Sequence, residues 1–114
     1  MRSSTSQPLS HAAIHILVAI GVDERHGYAV MTEIERMTGG AVRIGPGTLY
    51  TTIGRLLADG LIEESDERPD PALDDKRRRY YTLTTAGRAV AAGEVRRLES
   101  LVASARPWAL KPDP

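Results

Sequence analysis

Apolar residues recur along most of the chain at the three- and four-residue spacing of amphipathic helices. Ser10 stands before the first such stretch as a helix N-cap, and Gly21 and Asp23 break the pattern after it. Pro46 suits the first position of a later helix because its fixed φ already matches a helical backbone. The pattern predicts three short helices. The first runs from Ser10 to about Ile20, the second starts near Gly27 and is stopped by Gly39 and Gly40, and the third starts near Pro46 and is ended by Gly60.

Short stretches with β-branched or alternating residues lie between and after these helices. Ala41–Ile44 is long enough only for a small strand. Leu61–Ser65 and Arg78–Leu83 predict two further strands, joined by a polar loop that contains Pro69 and Pro71. Two strands joined by a polar loop indicate an antiparallel hairpin, although this connection is longer than most.

The last helix is predicted to begin at Thr84 or Thr85, both suitable N-caps, and to end near Ala105, because Pro107 blocks its continuation. One face carries apolar residues spaced four, three, four and three apart, which is the seam of a helix that pairs with another helix. We therefore expect a homodimer joined along Ala91, Val95, Leu98, Val102 and Ala105.

The order of elements predicts a mainly α fold with a small β-hairpin. Three short helices followed by a hairpin form a winged helix-turn-helix, and the long C-terminal dimerisation helix is an addition to it. The predicted organisation is a flexible N-terminal arm at 1–8, a winged helix-turn-helix DNA-binding domain at 9–84, the dimerisation helix at 85–106 and a tail at 107–114.

The composition narrows the class of protein. A chain of 114 residues is one small domain, and without Cys it has neither disulfides nor thiolate metal sites. It has no Phe, so we expect an aliphatic core. The apolar stretch Ile14–Ile20 is far too short for a membrane span, and nothing resembles a signal peptide. We expect a cytoplasmic protein that has no membrane partner.

The formal net charge is zero, which counts mildly against nucleic-acid binding. The distribution is uneven, however. Between Asp59 and Asp75 there are eight acidic residues and one basic residue, Arg68, and four consecutive cations follow at once. Because DNA responds to the potential within about 8–10 Å in ordinary salt, this local cluster matters more than the total.

The helix that begins at Pro46 is the candidate recognition helix, since a major groove accepts one helix and its bases are read by polar side chains and Arg. The four cations at the second hairpin strand are candidates for backbone contacts beside that groove. Solvated threonines and a charged strand edge that prevents aggregation are the alternative readings. The candidate DNA contacts are Thr48, Tyr50, Thr51, Thr52 and Arg55 of the helix, and Lys76, Arg77, Arg78 and Arg79 of the wing.

Other chemistry finds little support in the sequence. There is no nucleophile elbow, phosphate loop or acid–base pair, so we expect no enzyme and no cofactor. His11 and His15 lie one helical turn apart, which is a metal-ligand spacing, but no third ligand accompanies them. Trp108 is expected to cover apolar surface in the tail, or else to pack on a partner subunit.

Several short motifs, taken in this order and spacing, resemble those of PadR-family transcriptional regulators. They span about residues 10–90. The resemblance implies a winged-helix dimer, and a repressor that a small molecule or another signal releases from operator DNA. The chain departs from the family pattern at Thr51, often Pro, and at Leu57, often acidic. The motifs are His26-Gly27-Tyr28, Gly47-Thr48-Leu49-Tyr50, Arg55-Leu56, Gly60-Leu61-Ile62, Arg79-Tyr80-Tyr81-Thr82-Leu83-Thr84 and Gly87-Arg88.

The rival reading is a protein–protein interaction module without specific DNA binding. Winged helices also serve as protein-binding scaffolds, and the zero net charge favours that reading. The two readings differ in whether the polar helix face and the basic run form one continuous surface.

Overall fold

The computed structural model of the chain describes residues 9–22, 25–65 and 79–110. The predicted arm at 1–8 and the last four residues of the tail lie outside this part. No helix within these ranges has the length and apolar character that a membrane span requires. The elements are α1 (His11–Val22), β1 (Arg25–His26), α2 (Gly27–Met37), α3 (Pro46–Ala58), β2 (Ile62–Ser65), β3 (Tyr80–Leu83) and α4 (Thr85–Ala109).

An antiparallel hairpin follows the three short helices, as the sequence predicts. In the sheet, β3 lies in the centre between β1 and β2. The hairpin register pairs Ile62 with Leu83 and Ser65 with Tyr80. The predicted fold class, a mainly helical winged helix-turn-helix with a long C-terminal helix, is confirmed.

The strand predicted over Ala41–Ile44 is wrong, because these residues continue a turn that follows α2. The Ala41 N–H donates to the Thr38 carbonyl at 3.0 Å, and the Val42 N–H donates to the Thr38 hydroxyl oxygen at 3.0 Å. Both N–H groups therefore bond within the turn and are not available to pair with a neighbouring strand. The third strand is β1, which pairs with β3. Its two residues are too few to show an alternating pattern.

α1 forms the centre of the core. It contains no charged residue, and it contacts α2, α3, α4 and β3. Ile16 and Leu17 are fully buried. The core is aliphatic, as the composition predicts, and Tyr81 is the only aromatic side chain among the buried residues that the structure describes. A helix packed on several sides needs an apolar surface wider than a single stripe.

The two ends of α1 differ in how well the sequence predicts them. Ser10 is the predicted N-cap, and its hydroxyl oxygen accepts the Ala13 N–H at 3.1 Å. Gly21 does not break the helix, which continues to Val22. A Cβ at Gly21 would lie 3.1 Å from Leu83 Cδ1, so glycine is used there for close packing against β3.

α4 is longer than predicted, since it continues through Pro107 to Ala109. Proline removes the N–H that would bond the Ala103 carbonyl, but Ala103 is exposed and water can take that bond. The boundary predicted between a dimerisation helix at 85–106 and a tail therefore moves by one turn. Trp108, three-quarters exposed, belongs to α4 and not to a tail.

A hydrogen-bonded junction joins the end of α3 to the start of α4. Thr84 is the N-cap of α4, and its hydroxyl oxygen accepts the Gly87 N–H at 2.9 Å. The same hydroxyl donates to the Gly60 carbonyl at 2.6 Å. The Thr84 N–H donates to the Leu61 carbonyl at 3.1 Å, and the Leu61 N–H donates to Leu56 at the end of α3 at 3.0 Å. One residue thus links both helices.

Two glycines allow this junction to close. Gly60 has φ +74°, a left-handed conformation that ends α3 without strain only when no Cβ is present. Gly87 is buried, and a Cβ there would collide with the Leu61 carbonyl oxygen. The junction therefore depends on glycine at both positions, once for backbone conformation and once for space.

We expect Gly87→Ala to lower the free energy of unfolding by about 1–3 kcal/mol, because the backbone at Leu61 must move to admit the methyl group. Gly93→Ala is the matched control on the same helix, where a Cβ meets only an Arg96 nitrogen at 3.9 Å. It should raise stability by about 0.5–1 kcal/mol through helix propensity. Urea denaturation measures the free energy of unfolding of both variants. Equal values would contradict the need for glycine at position 87.

Candidate nucleic-acid interface

The orientation of α3 is fixed by its apolar face. Leu49, Ile53 and Leu56 are at most 3 % exposed and pack into the core. The opposite face of the helix is directed away from the protein. Of the candidate contacts on α3, Thr48, Thr51 and Arg55 are exposed, Tyr50 is partly exposed and Thr52 is half-buried. The helix thus presents hydroxyls and one guanidinium on a surface that its packing holds in place.

The start of α3 is open to a ligand. Gly45 is the N-cap residue and makes no side-chain capping bond, and Pro46 occupies the first turn. Nothing lies within 4 Å of a Cβ built at Gly47, so a nucleic-acid backbone can approach closely. Arg43 is exposed beside this turn and, with His11 and Thr48, lines a groove of about 390 Å³. The sequence analysis did not single out Arg43, although it stands three residues before Pro46.

Tyr50 connects α3 to the start of α2. Its hydroxyl lies against buried Gly27, where an added Cβ would collide with that hydroxyl. Its ring remains 44 % exposed. The motifs around Gly27 and Tyr50 are separate in the sequence, and the structure brings them together. Tyr50 therefore has a role in positioning the two helices, whether or not it also contacts a ligand.

The wing contributes one described cation, Arg79. Lys76, Arg77 and Arg78 lie outside the described residues. Arg79 Nη1 donates to Glu64 Oε2 at 2.9 Å at the end of the hairpin that adjoins the connecting loop. This hydrogen bond, together with the negative charge of Glu64, raises the pKa of Arg79, so the guanidinium keeps its charge at every ordinary pH. The sequence analysis did not identify Glu64, because nothing in the chain order indicates which acidic residue meets the basic run.

Tyr81 lies between the wing and α3. It is 3 % exposed, whereas Tyr80 is half-buried, so the two neighbours point to opposite faces as the sequence predicts. Burial raises the pKa of Tyr81, and the Glu64 carboxylate and the Tyr50 phenol raise it further. Tyr81 therefore lies close enough to Glu64 on β2 and to Tyr50 on α3 to interact electrostatically with both.

The face of α4 that the sequence assigns to a dimer is only partly covered within one chain. Ala91 is buried in the core, while Val95, Leu98 and Val102 are each about 40 % exposed. Ala105 is half-buried. Val95 and Leu98 also line a groove of about 330 Å³ whose other side is formed by α1 and the end of α2. An apolar stripe of this kind is typical of a surface that a partner covers.

No metal site is found within the described ranges. His11 and His15 have ring centroids 4.4 Å apart, and His15 Nδ1 lies 2.7 Å from the His11 carbonyl oxygen. In this part of the chain, no group of three or more His, Cys, Asp or Glu side chains is placed to hold an ion.

Comparison with known proteins agrees with this geometry. Residues 16–93 match the model of the Transcriptional regulator PadR-like family. The chain is similar to Transcriptional regulator Rv3488 of Mycobacterium tuberculosis, with 41% identity over 88 residues that cover 77% of this chain and 76% of that protein. The family match runs from the middle of α1 through the candidate recognition helix and the hairpin into the start of α4.

Two solved structures give the same result for the fold. RosR of H. salinarum is 28% identical, with a TM-score of 0.62 over 87% of this chain and 79% of that chain. A PadR family transcription regulator from Clostridium difficile is 18% identical, with a TM-score of 0.68 over 87% of this chain and 98% of that chain. The second likeness concerns the fold alone.

Ionisation of Tyr81 predicts a loss of stability at alkaline pH. Its pKa is raised above the ordinary value of 10.0 in the folded chain, so its contribution to stability is complete below that value and is lost as the pH rises through the folded-state pKa. Urea denaturation between about pH 9 and about pH 11 should show a fall in the free energy of unfolding that is smaller in Tyr81→Phe. Tyr28→Phe, at an exposed position, is the control; equal falls in both variants would contradict the assignment.

Proposed function

Since the chain belongs to the Transcriptional regulator PadR-like family, we propose that it is a sequence-specific repressor that binds an inverted-repeat operator as a homodimer. Members of this family are transcriptional regulators and not enzymes. The observation that carries the proposal is the exposed polar face of α3, held outward by three buried aliphatic residues. A helix of this kind fits the major groove, where each base pair presents a distinct pattern of donors and acceptors.

Arg55 is the residue of α3 best suited to read a base. It is exposed near the end of the helix, and guanidinium groups form paired hydrogen bonds with guanine. Thr48 and Thr51 are exposed on the same helix, and their hydroxyls suit phosphate oxygens or base edges. Thr51 is a departure from the family pattern, so it is a position where base preference would differ between relatives.

The wing supplies the second part of the proposed interface. Lys76, Arg77, Arg78 and Arg79 would bind phosphates beside the groove occupied by α3, which adds affinity without sequence information. Arg79 is 60 % exposed, so phosphate can reach it. Tyr81 interacts electrostatically with both Glu64 and Tyr50, which supports a position of the wing strands next to α3.

A dimer would place two such surfaces on one duplex. The partly exposed stripe of Val95, Leu98 and Val102 supports pairing through α4, with Ala105 at its end and Ala91 at its junction with the core. Two recognition helices related by a two-fold axis require half-sites about 10 bp apart, or a multiple of the helical turn.

A small-molecule effector completes the proposal. The grooves beside α4 have volumes of about 330 Å³ and 370 Å³, and both are lined largely by aliphatic side chains. A ligand bound there would contact the helix that sets the relative position of the two recognition helices. Release of the repressor from DNA would then follow from a change in that position.

The proposal is tested by fluorescence anisotropy with the DNA upstream of the chain's own gene, and with scrambled DNA as competitor. We expect tight binding at physiological salt and a preference of roughly a thousandfold for the specific duplex. Weak, equal binding to both duplexes would contradict sequence-specific repression at this site and would favour the protein-interaction reading.

Arg55→Ala should weaken binding to the operator by about 1–3 kcal/mol, and binding to scrambled DNA far less, if Arg55 reads a guanine. Arg96→Ala, an exposed arginine of α4, is the matched control and should leave the operator affinity unchanged. Equal losses on both duplexes for Arg55→Ala would show that it contacts phosphate only.

Replacing both Arg77 and Arg78 with Ala should instead weaken binding to all sequences. It should also flatten the slope of log K against log salt concentration by about 0.9 per lost phosphate contact.

Leu98→Glu should convert the dimer into monomers, because it places a charge in the apolar stripe. Ser100→Glu, exposed on the opposite side of α4, is the control and should leave the dimer intact. Sedimentation velocity measures the mass of each variant. A dimeric Leu98→Glu variant would mean that the interface lies elsewhere.

A further inference from the structure

The ion pair between Arg79 and Glu64 lies in the proposed DNA interface. Arg79 Nη1 and Glu64 Oε2 are 2.9 Å apart, and the two side chains are 60 % and 45 % exposed. Of the four consecutive cations, Arg79 is the one that the structure describes. A phosphate that approaches this guanidinium therefore meets a carboxylate already bound to it.

The strand register shows on which side of the sheet the pair lies. Glu64 is paired with Tyr81, and it shares a strand face with Ile62 because residues two apart point the same way. Ile62 and Tyr81 are buried in the core, so this face is the one that the helices cover. The ion pair thus lies at the outer end of the helix-facing side of the sheet. DNA bound along α3 would run beside this side of the wing.

Carboxylate and phosphate oxygens are equivalent partners for a guanidinium, since both accept its charge-assisted hydrogen bonds. Exposed ion pairs are weak, so DNA can displace Glu64. The displaced Glu64 carboxylate remains on β2, close to the phosphate bound by Arg79, and repels that phosphate. Both effects lower the affinity for DNA, and neither depends on the base sequence.

We propose that Glu64 is an intramolecular competitor of the DNA phosphate for Arg79, and that it lowers the affinity of the regulator for DNA of every sequence. This inference rests on the proposed DNA-binding function. By competing for Arg79, Glu64 weakens the phosphate contact of the wing. A larger share of the binding free energy then comes from the base contacts of α3. The acidic residue would thereby restrain non-specific binding by a chain that carries a basic run.

The test compares Glu64→Gln with Glu63→Gln in the full-length chain. Glu63 is exposed on the same strand, and its side chain points to the other face, so its variant removes an equal charge without breaking the pair. Anisotropy titrations use a scrambled duplex and the operator over a range of salt concentrations. Glu64→Gln should tighten binding to both duplexes by roughly twofold to fivefold. It should also steepen the salt dependence by up to about 0.9, as for one added phosphate contact.

A double variant shows whether the gain in DNA affinity of Glu64→Gln depends on Arg79. If it does, Glu64→Gln combined with Arg79→Gln binds no more tightly than Arg79→Gln alone. Circular dichroism melting confirms that each variant is folded.

Three results would overturn the inference: weaker or unchanged binding by Glu64→Gln, an equal gain in Glu63→Gln, or a gain that survives the loss of Arg79. Failure of the wild-type chain and of Glu64→Gln to bind either duplex at low salt would instead overturn the proposed function, and the inference with it.

Discussion

The hydrogen bonds of Thr84 at the junction of α3, the hairpin and α4 are the constraint on which the arrangement depends. The Thr84 hydroxyl oxygen accepts a hydrogen bond from the Gly87 N–H, and the hydroxyl donates one to the Gly60 carbonyl. Thr84 therefore caps α4 and also binds the turn that ends α3. The missing side chain of Gly87 lets the Leu61 carbonyl approach. Because α3 ends here and α4 begins here, the junction fixes the position of the proposed recognition helix relative to the proposed dimerisation helix.

The fold also lets a chain of zero net charge present the proposed DNA-binding surface. The polar face of α3 points outward, and on the described part of the hairpin Glu64 pairs with Arg79. The total charge is zero, but the exposed face of α3 carries the Thr48 and Thr51 hydroxyls and the Arg55 guanidinium. Net charge describes the average field of a protein and says little about a patch smaller than the screening distance.

The order and type of the main elements could be predicted because each carries its own local signal. Aliphatic spacing identifies α3, Ser10 and Thr84 mark helix starts, and Pro46 marks another. The errors have two different causes. At Gly21 the helix continues and packs against the distant Leu83 on β3. After α2, the short-range hydrogen bonds of Thr38 hold Ala41 and Val42 in a turn in place of a strand. Glu64 was missed because an ion pair across a hairpin depends on register, and register is fixed only when the sheet forms.

We propose that α3 reads base edges while the wing holds the DNA backbone. The decisive measurement is a crystal structure of the chain with its operator duplex. We expect α3 of both protomers in successive major grooves, with Thr48, Thr51 and Arg55 facing the bases and Arg79 turned from Glu64 to a phosphate. A complex in which α3 faces solvent, or in which DNA lies on another surface of the dimer, would contradict it.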